Sequence, residues 1–329
     1  MRIVVTASIG VALVDGDTPD ALLRDADAAM YRAKERGRAR VELFDNELRT
    51  RAVRRMEIER DLRVALDHDQ LVVHFQPVTA MANGALAGFE ALVRWEHPTR
   101  GLLRPREFLA VAEDAGLMGA LGVQVRERAL AQWAEWRRCH PEWGEFAMGV
   151  NLAASELRDR VLPAQIAALF DRYGADPRFM VLEASEEVVA ADTDATRVVL
   201  GELHELGAIV ALDDFGTGAS PLLHLRRFPI DAIKLDGVLV SGLGEDPADD
   251  LMVAGVIRLA HDLGLFVVAE GIERAVQADR LRDAGCLFGQ GHAIAPAMSA
   301  IEAETWATDY CAGLPHPLPR WTLPRRPTH

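Results

Sequence analysis

From about residue 70 to residue 300, short apolar runs alternate with longer stretches in which apolar residues recur at helical spacing, such as 105–117, 121–138 and 250–264. Eight of the short runs have the length and composition of buried β-strands. They cover residues 71–78, 86–95, 146–152, 179–184, 208–214, 232–236, 265–270 and 286–291. Eight strands over about 235 residues, most of them followed by a helix, predict an α/β fold of the TIM-type (β/α)8 barrel class.

The first two runs depart from this alternation. Only residues 79–85, TAMANGA, separate them. So short a connection suits a hairpin, because a parallel crossover needs a dozen residues or more. We therefore expect one barrel strand to be antiparallel to its neighbours.

The N-terminal residues predict a small α/β segment. The apolar run at 5–14, a helix over 18–37 with Thr18 as its N-cap, and a strand at 41–45 are too few to close a core. A charged helix follows, with Ile58, Leu62, Ala65 and Leu66 on one face. The predicted division is 1–45 for this segment, 46–68 for the connecting helix, 69–305 for the barrel and 306–329 for a Pro-rich tail.

Polar residues close most of the apolar runs, where a buried strand has no need of them. In a β/α barrel the C-terminal strand ends share one face, on which active sites are built. Carboxylates that converge there repel each other unless cations are present, and such oxygen ligands suit Mg²⁺ or Mn²⁺. The residues at or just after the run ends are Asn151, Glu183, Asp213, Asp214, Lys234, Asp236, Glu270, Glu273 and Gln290.

Each of these residues also has a simpler interpretation. Asp214 could cap the helix after its strand, and Glu183 or Lys234 could form an ordinary salt bridge. Lys234 could also be the Schiff-base lysine of an aldolase-type barrel. Neighbouring carboxylates, however, would keep its amine protonated. The joint pattern favours a cation-dependent site.

The amino-acid composition limits the classes of partner and the compartment that suit this chain. The 329 residues include 36 Lys and Arg against 50 Asp and Glu, a formal net charge of −14, which disfavours DNA as a ligand. No apolar run approaches the ~18–20 residues that span a bilayer, so we expect no membrane contact from this chain. The widely spaced Cys139, Cys286 and Cys311 favour a reducing cytoplasm over a disulfide framework.

The residues around these positions resemble the EAL domain, the family of phosphodiesterases specific for cyclic di-GMP. The naming motif stands at Glu90–Ala91–Leu92, within FEALVRW. The motifs VNLAASEL, VLEASE, LDDFGTGAS, IDAIKLD, VAEGIE and FGQG follow in the family's order. The resemblance covers about residues 57–300.

This resemblance implies a set of site residues. The implied metal ligands are Glu90, Asn151, Glu183, Asp213, Asp214 and Glu270. The implied catalytic residues are Glu90, Asp214, Lys234 and Glu273, and those implied at the substrate are Arg94 and Gln290. Two divalent ions, Mg²⁺ or Mn²⁺, would activate a shared water.

The activity that the resemblance implies is hydrolysis of cyclic di-GMP to linear pGpG, by a homodimer that associates through the barrel. The alternative is a receptor that binds cyclic di-GMP without turnover. Pro221 keeps this alternative open, because it replaces the family's usual second serine in the loop that, in this family, couples metal binding to dimerisation. Trp95, placed near the barrel mouth, could stack on a base.

The N-terminal segment resembles a second family. SIGVAL followed by LLRDADAAMYRAKERGRARVELFD is similar to the C-terminal part of a GGDEF (diguanylate cyclase) domain. The family's signature loop, metal-binding acids and product site would lie upstream of this part. We therefore expect no cyclase activity from this segment, which is either a truncated domain or a structural cap.

Overall fold

The computed structural model describes residues 6–12, 18–44, 46–191, 193–217 and 227–314. Two units divide the chain, one made of Met1–His68 with Phe108–Ala115 and the other of Asp69–Glu107 with Gly116–His329. Among the described residues, every helix is too short or too polar to span a bilayer.

The first unit contains a β-α-β arrangement. Strands β1 (Ile9–Val11) and β2 (Val41–Leu43) pair in parallel, and α1 (Pro19–Glu35) connects them. Helix α1 begins as the sequence predicts, because the Thr18 side chain accepts a hydrogen bond from the Ala21 N–H at 3.4 Å. A long helix and a short helix complete the unit: α2 (Asn46–Asp67) and α3 (Leu109–Asp114).

The apolar face that the sequence predicts on α2 is the buried face of that helix. Ile58, Leu62 and Ala65 are each at most 2% exposed, and Leu66 is partly buried. Charged residues share the exposed surface of this helix with Val53, Met56 and Val64, and Arg63 pairs there with Glu59 one turn earlier at 2.8 Å.

The second unit is the predicted barrel of eight strands. These strands are β3 (Leu71–Ala80), β4 (Leu86–His97), β6 (Ala147–Asn151), β7 (Met180–Ser185), β8 (Ile209–Phe215), β9 (Ala232–Leu235), β10 (Phe266–Ala269) and β11 (Phe288–Gly289). They follow each other around the sheet in chain order, and β3 closes the circle by pairing with both β4 and β11. A short ninth strand, β5 (Gly101–Leu103), adds to β4 only.

Strand β3 is antiparallel to both of its neighbours, and the other barrel pairs are parallel. The prediction of one antiparallel strand is therefore confirmed, for the reason given by the short connection. The parallel strands are buried along nearly their whole length, as expected where helices cover the outside of a sheet.

The helices of the second unit lie between and after these strands. They are α4 (Met118–Cys139), α5 (Leu162–Tyr173), α6 (Glu186–Ala190), α7 (Asp194–Glu205), α8 (Gly237–Ser241), α9 (Pro247–Asp262), α10 (Ala275–Asp283) and α11 (Ala300–Ala312). Helix α11 continues past the boundary that the composition predicts at 305. The predicted tail therefore begins too early, and residues 315–329 lie outside the described residues.

Aromatic rings hold α4 against the first strands of the barrel. The Trp136 ring lies 4.8 Å from that of Phe75 and 4.9 Å from that of Phe89, measured between centroids. Trp143 packs on Trp136 at 5.8 Å, and both indoles are fully buried. Such aromatic contacts contribute large buried areas and restrict the geometry of packing, so α4 is a rigid support beside β3 and β4.

Candidate functional site

The polar residues at the strand ends face one another at the C-terminal rim of the barrel. Strand register brings them together: Glu90 on β4 lies opposite Gly149 on β6, and Asn151 at the end of β6 lies opposite Glu183 on β7. Lys234 on β9 lies opposite Val268 on the neighbouring strand β10, and Glu270 directly follows the end of β10. Because the strands are parallel and in register, residues distant in sequence lie on adjacent strands at similar height.

A single lysine lies at the centre of this set. The Lys234 Nζ is 2.7 Å from Glu183 Oε2, 2.7 Å from Glu270 Oε1, 3.2 Å from Glu90 Oε2 and 3.4 Å from Asp213 Oδ1. The Lys234 side chain is 3% exposed. Four carboxylates thus surround one ammonium group, a formal excess of three negative charges in a largely buried space.

Two amide side chains orient the Glu90 carboxylate. Asn151 Nδ2 donates to Glu90 Oε1 at 3.0 Å, and Gln290 Nε2 donates to Glu90 Oε2 at 2.6 Å and to Glu270 Oε1 at 3.1 Å. Gln290 is 4% exposed. Its Oε1 atom finds no hydrogen-bond partner among the described residues. The amide thus keeps one buried acceptor unused at the site.

The charge excess shifts the pKa values of the cluster. Burial and repulsion from Glu90 raise the pKa of Glu183 well above its ordinary value, and burial raises that of Glu270 to about 8. Burial alone would raise the pKa of Glu90, but Lys234 and its two amide donors outweigh burial and lower it. Burial disfavours the Lys234 ammonium, yet the carboxylates raise its pKa well above its ordinary value. The cluster therefore requires more positive charge than Lys234 supplies.

The donor set fits a divalent cation. Glu90, Glu183 and Asp213 each offer a carboxylate oxygen, and these oxygens all lie within 4.8 Å of one another. Hard oxygen donors of this kind are the ligands of Mg²⁺ and Mn²⁺ rather than of softer metals. Excess negative charge and an all-oxygen donor set are the two features that a hard cation needs.

Gly149 on β6 leaves room for the Glu183 carboxylate beside Lys234. A Cβ atom on Gly149 would lie 2.5 Å from Glu183 Oε1 and 3.7 Å from the Cα of Glu90. No real Cβ atom makes the first contact, so any side chain at 149 would displace Glu183. The absence of a side chain at 149 on β6 therefore helps to set the position of the Glu183 carboxylate.

Three other predicted residues lie at the rim outside the contacts of Lys234. Asp214 follows Asp213, is exposed as a whole residue, and has φ +55°; partial burial of its carboxyl and repulsion from Asp213 raise its pKa. Arg94 is half-buried on the same face of β4 as Glu90, and its Nη1 donates to Val93 O at 2.8 Å. Glu273 is exposed.

Two expectations have different outcomes. Trp95 is fully buried, with its indole N–H donating to Gln70 Oε1 at 3.2 Å, so the prediction that it could stack on a base is wrong. Pro221 lies outside the described residues, and its effect on the loop stays a prediction.

Some buried polar residues near the rim, among them Glu186 and Gln277, are not marked by the sequence pattern. Glu186, 3% exposed, accepts a hydrogen bond from the Gly216 N–H at 2.9 Å, in the loop after Asp213 and Asp214. Gln277 is 2% exposed and ties the loop after β10 to α8. Neither position ends an apolar run, so the pattern that marks the other residues could not mark these.

Replacing Gln277 with leucine is expected to lower the free energy of unfolding by about 2–4 kcal/mol, since each buried backbone group left without a partner costs about 1–3 kcal/mol. Its Oε1 accepts from the N–H groups of Glu273 and Arg274 at 2.9 Å each, and its Nε2 donates to Val240 O at 3.1 Å. Urea unfolding measures the change. Gln165→Leu, on the exposed face of α5, is the control. An equal loss of unfolding free energy in both variants would show that the hydrogen bonds of Gln277 do not stabilise the fold.

Comparison with known proteins gives the family. Residues 59–297 match the EAL domain family, and residues 1–40 match the family described as diguanylate cyclase, GGDEF domain. The chain is 37% identical over 299 residues to the bifunctional diguanylate cyclase/cyclic di-GMP phosphodiesterase MucR of Pseudomonas aeruginosa, covering 90% of this chain and 43% of that protein. It is 35% identical over 312 residues to the cyclic di-GMP phosphodiesterase PdeR of Escherichia coli K12, covering 94% and 47%.

A solved structure gives the same result. The PaMucR phosphodiesterase in complex with c-di-GMP superposes with a TM-score of 0.70 at 35% identity, over 75% of this chain and 99% of that one. The chain spans less than half the length of the curated relatives MucR and PdeR. Because the matched family covers most of the chain and its strand-end residues meet at one rim, the chain belongs to the EAL domain family.

Proposed function

We propose that this chain is a hydrolase that opens one phosphodiester bond of cyclic di-GMP and releases linear pGpG. The observation that carries the proposal is the buried ring of four carboxylates around Lys234 at the barrel rim. The likeness to MucR and PdeR, both named as phosphodiesterases of cyclic di-GMP, supports the same substrate.

The residues present fit two divalent ions, Mg²⁺ or Mn²⁺. We assign the ligands to Glu90, Asn151, Glu183, Asp213, Asp214 and Glu270. Such ions, when bound, would supply Lewis acidity to the phosphate and lower the pKa of a water at the site. The donor set supports this assignment, because three of these carboxylates already lie within reach of one another.

The side chains have separate tasks in this reaction. Lys234 holds a fixed positive charge where negative charge develops on the phosphate, and a preorganised charge in a buried site acts with little reorganisation. Gln290 and Asn151 hold the Glu90 carboxylate in one orientation. Arg94, on the same face of β4 as Glu90, would bind a substrate phosphate. Glu273, exposed after β10, would complete the rim when the substrate is bound.

Glu90→Ala tests the function. The purified chain, incubated with cyclic di-GMP and Mn²⁺, is expected to form pGpG, and the variant to lose about 10³-fold in kcat/KM because a transition-state interaction of about 4 kcal/mol is removed. Chromatography of the nucleotides measures the product, with EDTA as the metal control. Glu96→Ala, an exposed carboxylate on the same strand, should retain activity.

The outcomes separate the enzyme from the receptor. Equal turnover by Glu90→Ala and the wild type would overturn the assignment of the site. Binding of cyclic di-GMP by the wild type without any pGpG in Mn²⁺ would identify a receptor instead. Homodimerisation through the barrel and a cytoplasmic location stay predictions, the first of which sedimentation of the purified chain would measure.

A further inference from the structure

A buried ion pair lies outside the carboxylate ring, between α4 and the loop that follows β6. Arg126 Nη1 lies 2.7 Å from Glu156 Oε1, and the two residues are 2% and 6% exposed. Buried pairs of this kind add little net stability, because desolvation of the two charges offsets their attraction. Stability alone therefore explains poorly why charged groups occupy this place.

The second oxygen of the same carboxylate holds the backbone of the loop. Glu156 Oε2 accepts from the Ala153 N–H at 3.0 Å, and the Glu156 N–H donates to Ala153 O at 3.0 Å. These two bonds close a tight turn that begins two residues after Asn151. Leu152 lies between Asn151 and this turn, and it donates its N–H to Glu183 O at 2.8 Å. One carboxylate thus links α4 to the segment that carries Asn151.

Helix α4 leaves room for this carboxylate at one position. A Cβ atom on Gly122, one turn before Arg126, would lie 2.2 Å from Glu156 Oε1 and 2.7 Å from its Cδ. Any larger residue at 122 would displace the carboxylate from both of its partners. Gly122, Arg126 and Glu156 therefore form one contact, which we call the Asn151 support.

We propose that Glu156 is a positioning residue for Asn151 and that the Asn151 support sets the affinity of the rim for divalent ions. The proposal rests on the proposed function, in which Asn151 is a metal ligand. Asn151 is exposed at the strand end and its Nδ2 donates to Glu90, so its orientation depends on the loop that continues from it. A loop tied to a rigid helix keeps the amide oxygen in one place, and small displacements of a ligating group have large effects.

Two double variants separate positioning from stability. Arg126→Met with Glu156→Met replaces the charges by apolar side chains and removes the acceptor for the Ala153 N–H. Arg126→Met with Glu156→Gln also removes the charges but keeps a side-chain carbonyl for that N–H. We expect the first variant to need about tenfold more Mn²⁺ for half-saturation, and the second to stay within about twofold of the wild type.

Calorimetric titration with Mn²⁺ in the absence of nucleotide measures this affinity, and thermal unfolding in EDTA measures stability. The kcat at saturating Mn²⁺ should change little in either variant. Leu130→Ala, a buried apolar residue one turn after Arg126 on α4, is the control that lowers stability without changing Mn²⁺ affinity. Equal Mn²⁺ affinity of the two double variants would overturn the proposal.

A single substitution covers the case in which the methionine pair does not fold. Gly122→Ala retains both charges but displaces the Glu156 carboxylate, and it should also weaken Mn²⁺ binding; unchanged affinity there would equally overturn the proposal. Failure of the proposed function gives a different result. A wild type that binds Mn²⁺ but makes no pGpG would refute the phosphodiesterase, while the calorimetric comparison would still decide the role of Glu156.

Discussion

Replacing Lys234 with methionine is expected to reduce turnover of cyclic di-GMP by about 10³-fold or more and to destabilise the metal-free protein by about 3–5 kcal/mol. The reason is the charge of the rim: four carboxylates lie within 3.4 Å of the Lys234 Nζ. Without the ammonium, these buried acids must either repel each other or become protonated. Both effects disfavour folding.

Divalent metal is expected to restore much of that stability but none of the activity. A ligand that binds only the folded state at 100 times its Kd stabilises it by about 2.7 kcal/mol. Urea unfolding of the wild type and of Lys234→Met, in EDTA and in Mn²⁺, measures the effect. If the variant and the wild type unfold at the same urea concentration in EDTA, then Lys234 does not neutralise the rim.

The chain offers a matched control for this variant. Lys34 and Lys234 are its only lysines, and the other 34 of its 36 Lys and Arg residues are arginines. Lys34 is exposed on α1, so Lys34→Met should change neither stability nor turnover. Arginine at position 234 should not substitute functionally for the lysine, because the planar guanidinium differs in shape from the compact ammonium that the four carboxylates surround.

The second large effect is expected from Gly149→Ala. The added Cβ would lie 2.5 Å from Glu183 Oε1, so the carboxylate must leave the position in which it contacts Lys234. A displacement of about 1 Å at a reacting centre costs about 10²-fold in rate, whereas the strain of overpacking costs about 1–3 kcal/mol of stability. We therefore expect a folded protein with kcat/KM reduced by about 10²-fold.

Gly255→Ala is the control for this substitution. Gly255 lies inside α9, and a Cβ there would meet no atom within 4 Å. Alanine in a helix interior is favoured over glycine by about 0.5–1 kcal/mol, so this variant should unfold at slightly higher urea and keep full activity. Full activity in Gly149→Ala would show that Glu183 is not needed where the structure places it.

The position of the site could be predicted from the sequence because parallel barrel strands are buried on both faces. A polar residue at the end of such an apolar run therefore stands out, and Glu183, Asp213, Lys234 and Glu270 were found in this way. The antiparallel β3 could be predicted from the short connection to β4, since chain length alone excludes a crossover.

The same signal failed where polar groups are satisfied inside the fold. Glu156, Glu186 and Gln277 are buried but do not end an apolar run, so their partners become visible only when distant segments are brought together. Trp95 shows the opposite error: its place near the motif indicated exposure at the mouth, but β3 and β5 flank β4 there and the indole is buried.

The boundary of α11 was missed for a different reason. Turn-forming residues after 312 dominate the composition of the C-terminal segment, so the composition does not predict that α11 extends to Ala312. The Asp309 to Ala312 turn depends on tertiary contacts, such as the hydrogen bond from the Tyr310 hydroxyl to Gly84 O at 2.7 Å.

The sequence by itself determined the barrel class, the order of its strands and the residues at the rim, because hydrophobic periodicity and the placement of charge are local properties of the chain. Only the tertiary structure decided which of these residues touch. Lys234 meets four carboxylates from four other strands or strand ends, and Gly149 admits Glu183, because strand register sets distances that no spacing along the chain encodes.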